Sequence, residues 1–519
     1  MVKDGLRQRA TLAGLGRYGL LDACDEWLRE AADSPRPPAA AARRGRPRVA
    51  LVFTGQGSQY AGMTATLLRH CAPYRRHLAE ASAALGELGG GPHTTVERLL
   101  TGERPADLDH TRYAQPALFA VEYALAATLL EVGLRPVAVL GHSVGEFAAA
   151  VTAGALELSD AADLVRARGA LMGELPRGGA MLAVEASEEA VTPIVAAAGR
   201  GRVLDIAAVN GPAAVTLSGH AEAVKRAAAL LREAGHRARP LRVSHAFHSA
   251  LMRPMADGFA ALAARVPPGE ARVPLYSTVR EEQPRKLDGD YWTEQICAPV
   301  RFDAAARRLA EAAPTHVVEV GPRPLLLRLL RARLGEHTAL ACSAGPRSTG
   351  GELAGVVAAL HRDGADLDLS RWYGPEQRVR RPLPGYVFDH SSRFWWTTET
   401  AAAVKPASTA AEPAPAAAKS APTAEPAGRV ADTAADVDLA ALVRGAIHQV
   451  TGHDMAALEP HADLTELGFD SIMLMRLVDE IEQVVGPVDV EALLPKLTTV
   501  GELIDHLRHA HPAPEGVPS

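Results

Sequence analysis

The chain is 519 residues long, 47 % apolar and 22 % charged, the balance of a globular protein with room for several domains. Its net charge of −6 gives no general attraction to nucleic acid, and no apolar run approaches the ~20 residues that span a membrane. The four cysteines, Cys24, Cys71, Cys297 and Cys342, stand far apart with no Cys-x-x-Cys pair, which argues against a disulfide framework and a metal centre. With no hydrophobic secretory core after Met1, the expected location is the cytoplasm.

Residues 1–47 form a first segment. Leu12, Leu15, Leu20, Leu21, Cys24, Trp27 and Leu28 recur at helical spacing, interrupted by glycines, which predicts one or two short helices. Pro35 to Arg48 is rich in Pro, Ala and Arg and reads as a linker. A buried strand over 49–53 then opens a large domain, expected over 48–345. Strands at 49–53, 136–140 and 316–320 alternate with long Ala/Leu helices, the pattern of a parallel α/β sheet.

The first strand runs into Phe53-Thr-Gly-Gln-Gly-Ser-Gln59, a glycine-rich turn at the sheet edge where ligands of parallel sheets sit. It lacks the Lys-Ser/Thr ending of a nucleotide loop. A backbone N–H donor toward an oxyanion is the better physical reading. The second strand ends in Gly141-His-Ser-Val-Gly145 and opens into an alanine-rich helix. This Gly-x-Ser-x-Gly turn lifts Ser143 onto a sharp bend beside unpaired helix N–H groups, a geometry suited to an acyl-accepting nucleophile. The pattern fixes a covalent acyl step without naming the donor.

Residues 180–245 follow a different rhythm. Strands near 181–184, 203–209 and 213–218, helices over 187–199 and 220–235, and a closing strand from Pro240 to Ser244 give the order β-α-β-β-α-β. That is the ferredoxin-like arrangement, inserted into the larger domain. Directly after it lies Ser244-His-Ala-Phe-His-Ser-Ala-Leu-Met252, where His245 and His248 bracket an apolar pair. Either imidazole is a candidate general base for Ser143, and periodicity does not choose between them.

Residues 346–399 carry an aromatic run, Phe394-Trp-Trp396, near their end. Residues 400–436 are almost entirely Ala, Pro, Thr, Ser, Glu and Lys, the composition of a disordered tether. Over 437–509, apolar faces built from Leu439, Leu442, Val443, Ile447 and Val450, and from Ile472, Met475, Leu477, Val478 and Ile481, predict a separate four-helix bundle.

Taken together, Gly55-Gln-Gly-Ser-Gln59, Gly141-His-Ser-Val-Gly145, Arg168-Gly169, Asn210-Gly211 and His245-Ala-Phe-His248 resemble the malonyl-CoA acyltransferases of polyketide synthases, over roughly 48–345. The resemblance implies an α/β-hydrolase-like large subdomain on a parallel sheet, with the ferredoxin-like small subdomain inserted. It places catalysis on Ser143 and His248, and the oxyanion donors on the backbone N–H groups of Gln56 and Val144. The histidine is expected to be oriented by a main-chain carbonyl at Gln295. Arg168, in Arg168-Gly-Ala-Leu-Met172, is expected to pair with the free carboxylate of a dicarboxylic acyl-CoA, since a planar guanidinium matches a carboxylate bidentately.

Donor choice is expected at His245 and Phe247. The His-Ala-Phe-His form accompanies malonyl in this family, and Phe247 would fill the space of an α-methyl group. Another dicarboxylic extender such as methylmalonyl, and a hydrolase that edits acyl carriers, stand as alternatives.

Glu466-Leu-Gly-Phe-Asp-Ser-Ile472 resembles the attachment site of acyl carrier proteins. That likeness implies 4′-phosphopantetheine carried covalently on Ser471, with Glu466, Asp470, Asp479, Glu480 and Glu482 around it. The implied partners are malonyl-CoA as the coenzyme A thioester substrate, an acyl carrier protein in cis or in trans, a phosphopantetheinyl transferase and other synthase domains such as a ketosynthase. Neither nucleic acid nor a membrane is expected.

Overall fold

The chain divides into two compact units, Met1–Phe388 and Asp389–Ser519. The structure, a computed structural model, describes residues 8–9, 11–12, 16–33, 40–41 and 46–374, apart from 90–92, 102–104, 200, 281–285 and 336. The aromatic run at 394–396, the tether over 400–436, the helical bundle over 437–509 and Ser471 lie outside the described residues.

The N-terminal segment forms one helix, Gly16–Asp33, where one or two were expected. Within the expected linker, Ala40–Ala41 pairs antiparallel with Gln8–Arg9.

β1 (Val49–Phe53) reads Val-Ala-Leu-Val-Phe and is buried along its whole length. Such a continuous apolar run suits a strand covered on both faces. α1 (Thr111–Glu131) is buried on nearly every side. β2 (Ala138–Gly141) pairs with β1 in parallel register, Phe53 opposite Gly141. α2 (Gly145–Ala153) starts at the elbow that follows, and α3 (Leu158–Glu174) lies against α1.

The small subdomain follows as β3 (Gly179–Glu185), α4 (Glu188–Ala198), β4 (Leu204–Gly211), β5 (Ala214–His220), α5 (Ala221–Glu233) and β6 (Arg237–Pro240). Its strands run antiparallel in the order β4-β5-β3-β6, as the β-α-β-β-α-β reading expects. Leu182, Val184, Val191, Leu204, Val215, Leu217, Val224 and Leu231 make its core. The closing strand comes earlier than Pro240–Ser244. Pro240 has no N–H to extend a ladder, and past it only the Leu241 N–H reaches the Met181 carbonyl.

The chain then returns to the main sheet through β7 (Leu275–Tyr276), α6 (Gly289–Cys297), β8 (His316–Val320) and β9 (Thr338–Ala341). The main sheet is parallel throughout, ordered β9-β8-β1-β2-β7. β1 and β2 are therefore central. Their carboxyl ends, where the Gly-Gln-Gly turn and the serine elbow begin, lie side by side.

Candidate active site

Gly141 and Gly145 bring the elbow close to β1. A Cβ on Gly145 would stand 2.1 Å from the Thr54 carbonyl oxygen, and one on Gly141 would stand 2.3 Å from Glu146 Cα. Between them Ser143 adopts φ 53°, the left-handed region that a non-glycine residue enters at a cost. His248 has the same φ of 53°. Two strained residues face each other.

Their side chains meet. Ser143 Oγ lies 2.6 Å from His248 Nε2. His248 Nδ1 lies 2.9 Å from the Ala298 carbonyl oxygen, which can only accept, so Nδ1 carries the proton and Nε2 accepts from Ser143. Burial pushes the His248 imidazole down to about 3, helped by the charge of Arg168 and opposed by the Ala298 carbonyl. The ring is neutral at pH 7.

The orienting carbonyl thus belongs to Ala298, three residues beyond the expected Gln295. α6 ends at Cys297, and Ala298 turns extended at ψ 143°, which frees its carbonyl. The Gln295 carbonyl has a secondary influence, favouring the charged ring. Residue 299 is proline, so the helix offers no N–H four residues on to bind that carbonyl. The Gln295 side chain does something else: its Nε2 donates to the Ser143 carbonyl at 3.2 Å and to Glu146 Oε2 at 2.9 Å.

Arg168 projects from α3 into the same site and is 2 % exposed. Gly169 makes this possible, because a Cβ there would meet the Thr111 and Arg112 carbonyl oxygens of α1 at 3.0 and 3.2 Å. Arg168 Nη1 donates to Gln115 Oε1 at 2.6 Å and Nη2 to Ser143 Oγ at 3.3 Å. Its Nε is buried without an acceptor among the described residues. Burial lowers the guanidinium to about 10, with the Glu146 charge working the other way, so it remains a cation at pH 7. Among the described residues no carboxylate lies within ion-pair distance of it.

Gln56 sits in the glycine-rich turn, its side-chain oxygen 3.3 Å from Thr111 Oγ1, which in turn accepts from Gln115. Val144 is the N-cap of α2. Among the described residues neither the Gln56 nor the Val144 N–H donates to a protein acceptor. Both stand beside the elbow.

His245 is not aimed at the serine. Its Nε2 donates to the Leu175 carbonyl at 3.0 Å, at the end of α3, and its Nδ1 lies 2.9 Å from Ser244 Oγ. Phe247 is buried, its ring 6.1 Å from that of His245. His142, before the serine, bonds Asn210 Oδ1 of the small subdomain at 2.8 Å, and burial keeps it neutral. A cavity of about 260 Å³ reaches His248, lined also by Asp205, Ile206, Ala250, Arg253, Cys297 and Pro299.

Three buried polar residues escaped the sequence reading. Gln115 holds Arg168, Glu146 lies under the elbow, and Glu122 accepts from Thr54 Oγ1 at the base of the glycine-rich turn. The available signal was an acid set among apolar helix residues, at Glu122 in α1 and Glu146 in α2. Burial raises both carboxyls above the usual range.

Comparison with known proteins agrees with this architecture. Residues 50–374 match the acyl transferase domain family, well over half of the chain. The chain belongs to that family. Residues 441–507 match the phosphopantetheine attachment site family, whose members carry the cofactor covalently, and Ser471 falls inside that range. The acyltransferase domain from the second module of the salinomycin polyketide synthase superposes with a TM-score of 0.65 at 38 % identity, covering 73 % of this chain and 88 % of that one. An acyl carrier protein S-malonyltransferase from Vibrio cholerae gives a TM-score of 0.53 at 32 % identity, covering 60 % of this chain and 99 % of that one. Mycoketide-CoA synthase of Mycobacterium tuberculosis is 39 % identical over 76 % of the chain, and polyketide synthase GfsA of Streptomyces halstedii 36 % over 91 %. The chain spans only 9 % and 6 % of those two relatives' length. It is a polyketide-synthase-type acyltransferase domain with a carrier region behind it. No described helix is long and apolar enough to cross a membrane, and no described cluster of His, Cys, Asp or Glu has the make-up of a metal site.

Proposed function

We propose that this acyltransferase moves a malonyl group from malonyl-CoA, through an ester on Ser143, to the thiol of an acyl carrier protein. The observation that carries the reading is Arg168: a buried cation with no carboxylate within ion-pair distance among the described residues, 3.3 Å from the hydroxyl that His248 engages. A buried charge is costly unless paired. The free carboxylate of a malonyl group supplies the missing anion, and a guanidinium accepts it through two parallel hydrogen bonds.

In the first half-reaction the Ser143 hydroxyl gives its proton to His248 Nε2 as Oγ attacks the thioester carbonyl. The N–H groups of Gln56 and Val144 hold the oxyanion. Collapse breaks the carbon–sulfur bond, coenzyme A leaves with the proton returned by His248, and malonyl remains on Ser143. Phosphopantetheine on Ser471, put there by a phosphopantetheinyl transferase, supplies the acceptor thiol. In the second half-reaction His248 takes the acceptor's proton, the same two N–H groups hold the oxyanion, and Ser143 leaves with its proton restored.

Donor selection between malonyl and methylmalonyl is assigned to Phe247, next in sequence to the base and buried beside it, with His245 as its ring neighbour. One methyl group in such a pocket is worth ~1–3 kcal/mol, so selection is steep without being absolute. The acyltransferase domain is placed at 48–345, its inserted subdomain at 180–245, and the carrier at 437–509 behind a tether at 400–436.

The test is mass spectrometry of the Ser143 peptide after addition of malonyl-CoA. A malonyl adduct on Ser143 is expected, absent in Ser143→Ala. Equal acylation of Ser143→Ala with Ser471 also replaced by Ala would overturn the scheme.

A further inference from the structure

Glu146 follows the elbow's last glycine and faces into the protein, fully buried. Its carboxylate takes only donors. Oε1 accepts from the Thr278 N–H at 3.3 Å and from the Tyr291 hydroxyl, while Oε2 accepts from Thr278 Oγ1 at 3.1 Å and Gln295 Nε2 at 2.9 Å. Two N–H groups, one on each oxygen, and two hydroxyls converge on the carboxyl; all four can donate to its ionised form and work against the burial that raises it.

Two of those donors, Tyr291 and Gln295, lie on α6. The same helix presents the carbonyl that orients His248, at its C-cap Ala298. Glu146 itself lies on α2, directly behind the nucleophile. Its backbone N–H donates to the Ser143 carbonyl at 3.1 Å, and Gln295 Nε2 donates to that same carbonyl at 3.2 Å. The left-handed Ser143 is thus held by two hydrogen bonds on its carbonyl, both running through the Glu146–Gln295 pair.

We infer that Glu146 is a positioning residue: it clamps α6 to α2, and so fixes the Ser143–His248 contact through Gln295 and Tyr291. The inference rests on the acyl-serine reading above and adds to it the group that keeps base and nucleophile in register. A buried carboxylate serves where a neutral group would not, because hydrogen bonds to a charged acceptor are about twice as strong as neutral ones. Ser143 strains away from ordinary backbone geometry, and a loose clamp would let it relax.

The experiment uses the full chain and a fluorophosphonate, a small electrophile that reads serine reactivity without an acyl-CoA. Three variants are compared with wild type: Glu146→Gln, Tyr291→Phe and Gln295→Met. Misplacing a reacting group by about 1 Å can cost about 100-fold. Glu146→Gln and Gln295→Met are therefore expected to label Ser143 about 10- to 100-fold more slowly, with kcat for malonyl transfer falling in parallel and KM nearly unchanged. Tyr291→Phe should fall in between, and Glu146→Asp should recover part of the loss.

Folded variants, judged by a melting temperature near wild type, that label at the wild-type rate would overturn the clamp. So would a loss confined to KM. Should Glu146→Gln not fold, Tyr291→Phe and Gln295→Met decide by the same readout. Because the probe is no acyl-CoA, a wild-type chain that takes fluorophosphonate and ignores malonyl-CoA counts against the transfer reading alone.

Discussion

Arg168 Nη2 and Ser143 Oγ stand 3.3 Å apart, so the nucleophilic oxygen lies between a buried cation and the His248 imidazole. In that arrangement the guanidinium lowers the basicity of the imidazole, second only to burial as a cause. A donor carboxylate arriving on Arg168 cancels the charge and lets the base work. Donors without a free carboxylate should then lose rate as well as affinity.

Replacing Arg168 tests both effects. Arg168→Ala removes a bidentate charge-assisted pair, each hydrogen bond of which is worth roughly 1.5–3 kcal/mol. The expected fall in kcat/KM for malonyl-CoA is about 100-fold or more by that arithmetic. Acetyl-CoA, which has no carboxylate to lose, should gain relative to malonyl-CoA. A competition assay reading acyl mass on Ser143 checks this. An unchanged malonyl-to-acetyl ratio would remove Arg168 from substrate recognition.

The pH dependence follows from His248. With its imidazole held at about 3, the free enzyme keeps a neutral base from neutrality down to about pH 4. The acylation rate should stay flat from pH 8 down to pH 5, where a histidine at ~6.5 would already have lost more than tenfold. Stability moves the other way. The unfolded chain protonates this histidine below ~6.5, while the folded one stays neutral until about 3, so stability is full above ~6.5 and is lost as pH falls toward 3. The slope from this one group is about 1 kcal/mol per pH unit. His142 and His110 are also lowered by burial and add in the same direction. Melting temperatures at pH 7, 6 and 5 for wild type and His248→Gln check the sign, and the variant should fall less steeply.

Much of this site is legible in the sequence alone. Gly-x-Ser-x-Gly after a buried strand is a local device: the two glycines are dictated by backbone contacts at Thr54 and Glu146, and they announce the serine wherever they occur. The inserted subdomain was equally readable, because its helices and antiparallel strands alternate within 65 residues of chain and its core is local. β7 and β9 were missed for the opposite reason. At two and four residues they carry no periodicity, and the sheet forms them through long-range pairing with β2 and β8. His248 and His245 could not be separated by pattern, since what divides them is direction: one imidazole meets Ser143, the other the carbonyl of Leu175. Ala298 was out of reach altogether. The group that matters there is a backbone carbonyl, and any residue type supplies one.

Phe247 provides the sharpest test of donor choice. Truncation to serine opens the volume proposed to exclude an α-methyl group. With one methyl worth ~1–3 kcal/mol, methylmalonyl loading should rise about 10-fold relative to malonyl. Equimolar malonyl-CoA and methylmalonyl-CoA, read as acyl mass on the carrier peptide, give the ratio directly. Predominant methylmalonyl loading by the wild-type chain would assign selection elsewhere.

Gly169 separates substrate recognition from nucleophile chemistry. A methyl group at this position would press on the Thr111 and Arg112 carbonyl oxygens of α1, at 3.0 and 3.2 Å. Neither oxygen can swing away as a side chain would, so α3 itself must retreat by a few tenths of an ångström and carry Arg168 with it. Alanine also favours a helix over glycine by about 1 kcal/mol, which offsets part of the strain. Gly169→Ala should therefore melt close to wild type while its KM for malonyl-CoA rises about 10-fold through the displaced guanidinium. Arg168 also donates to Ser143 Oγ and lowers the basicity of His248, so its retreat should leave fluorophosphonate labelling at or above the wild-type rate. A variant that loses labelling while keeping its KM would reverse that division, making α3 a support of the nucleophile rather than of the substrate's carboxylate.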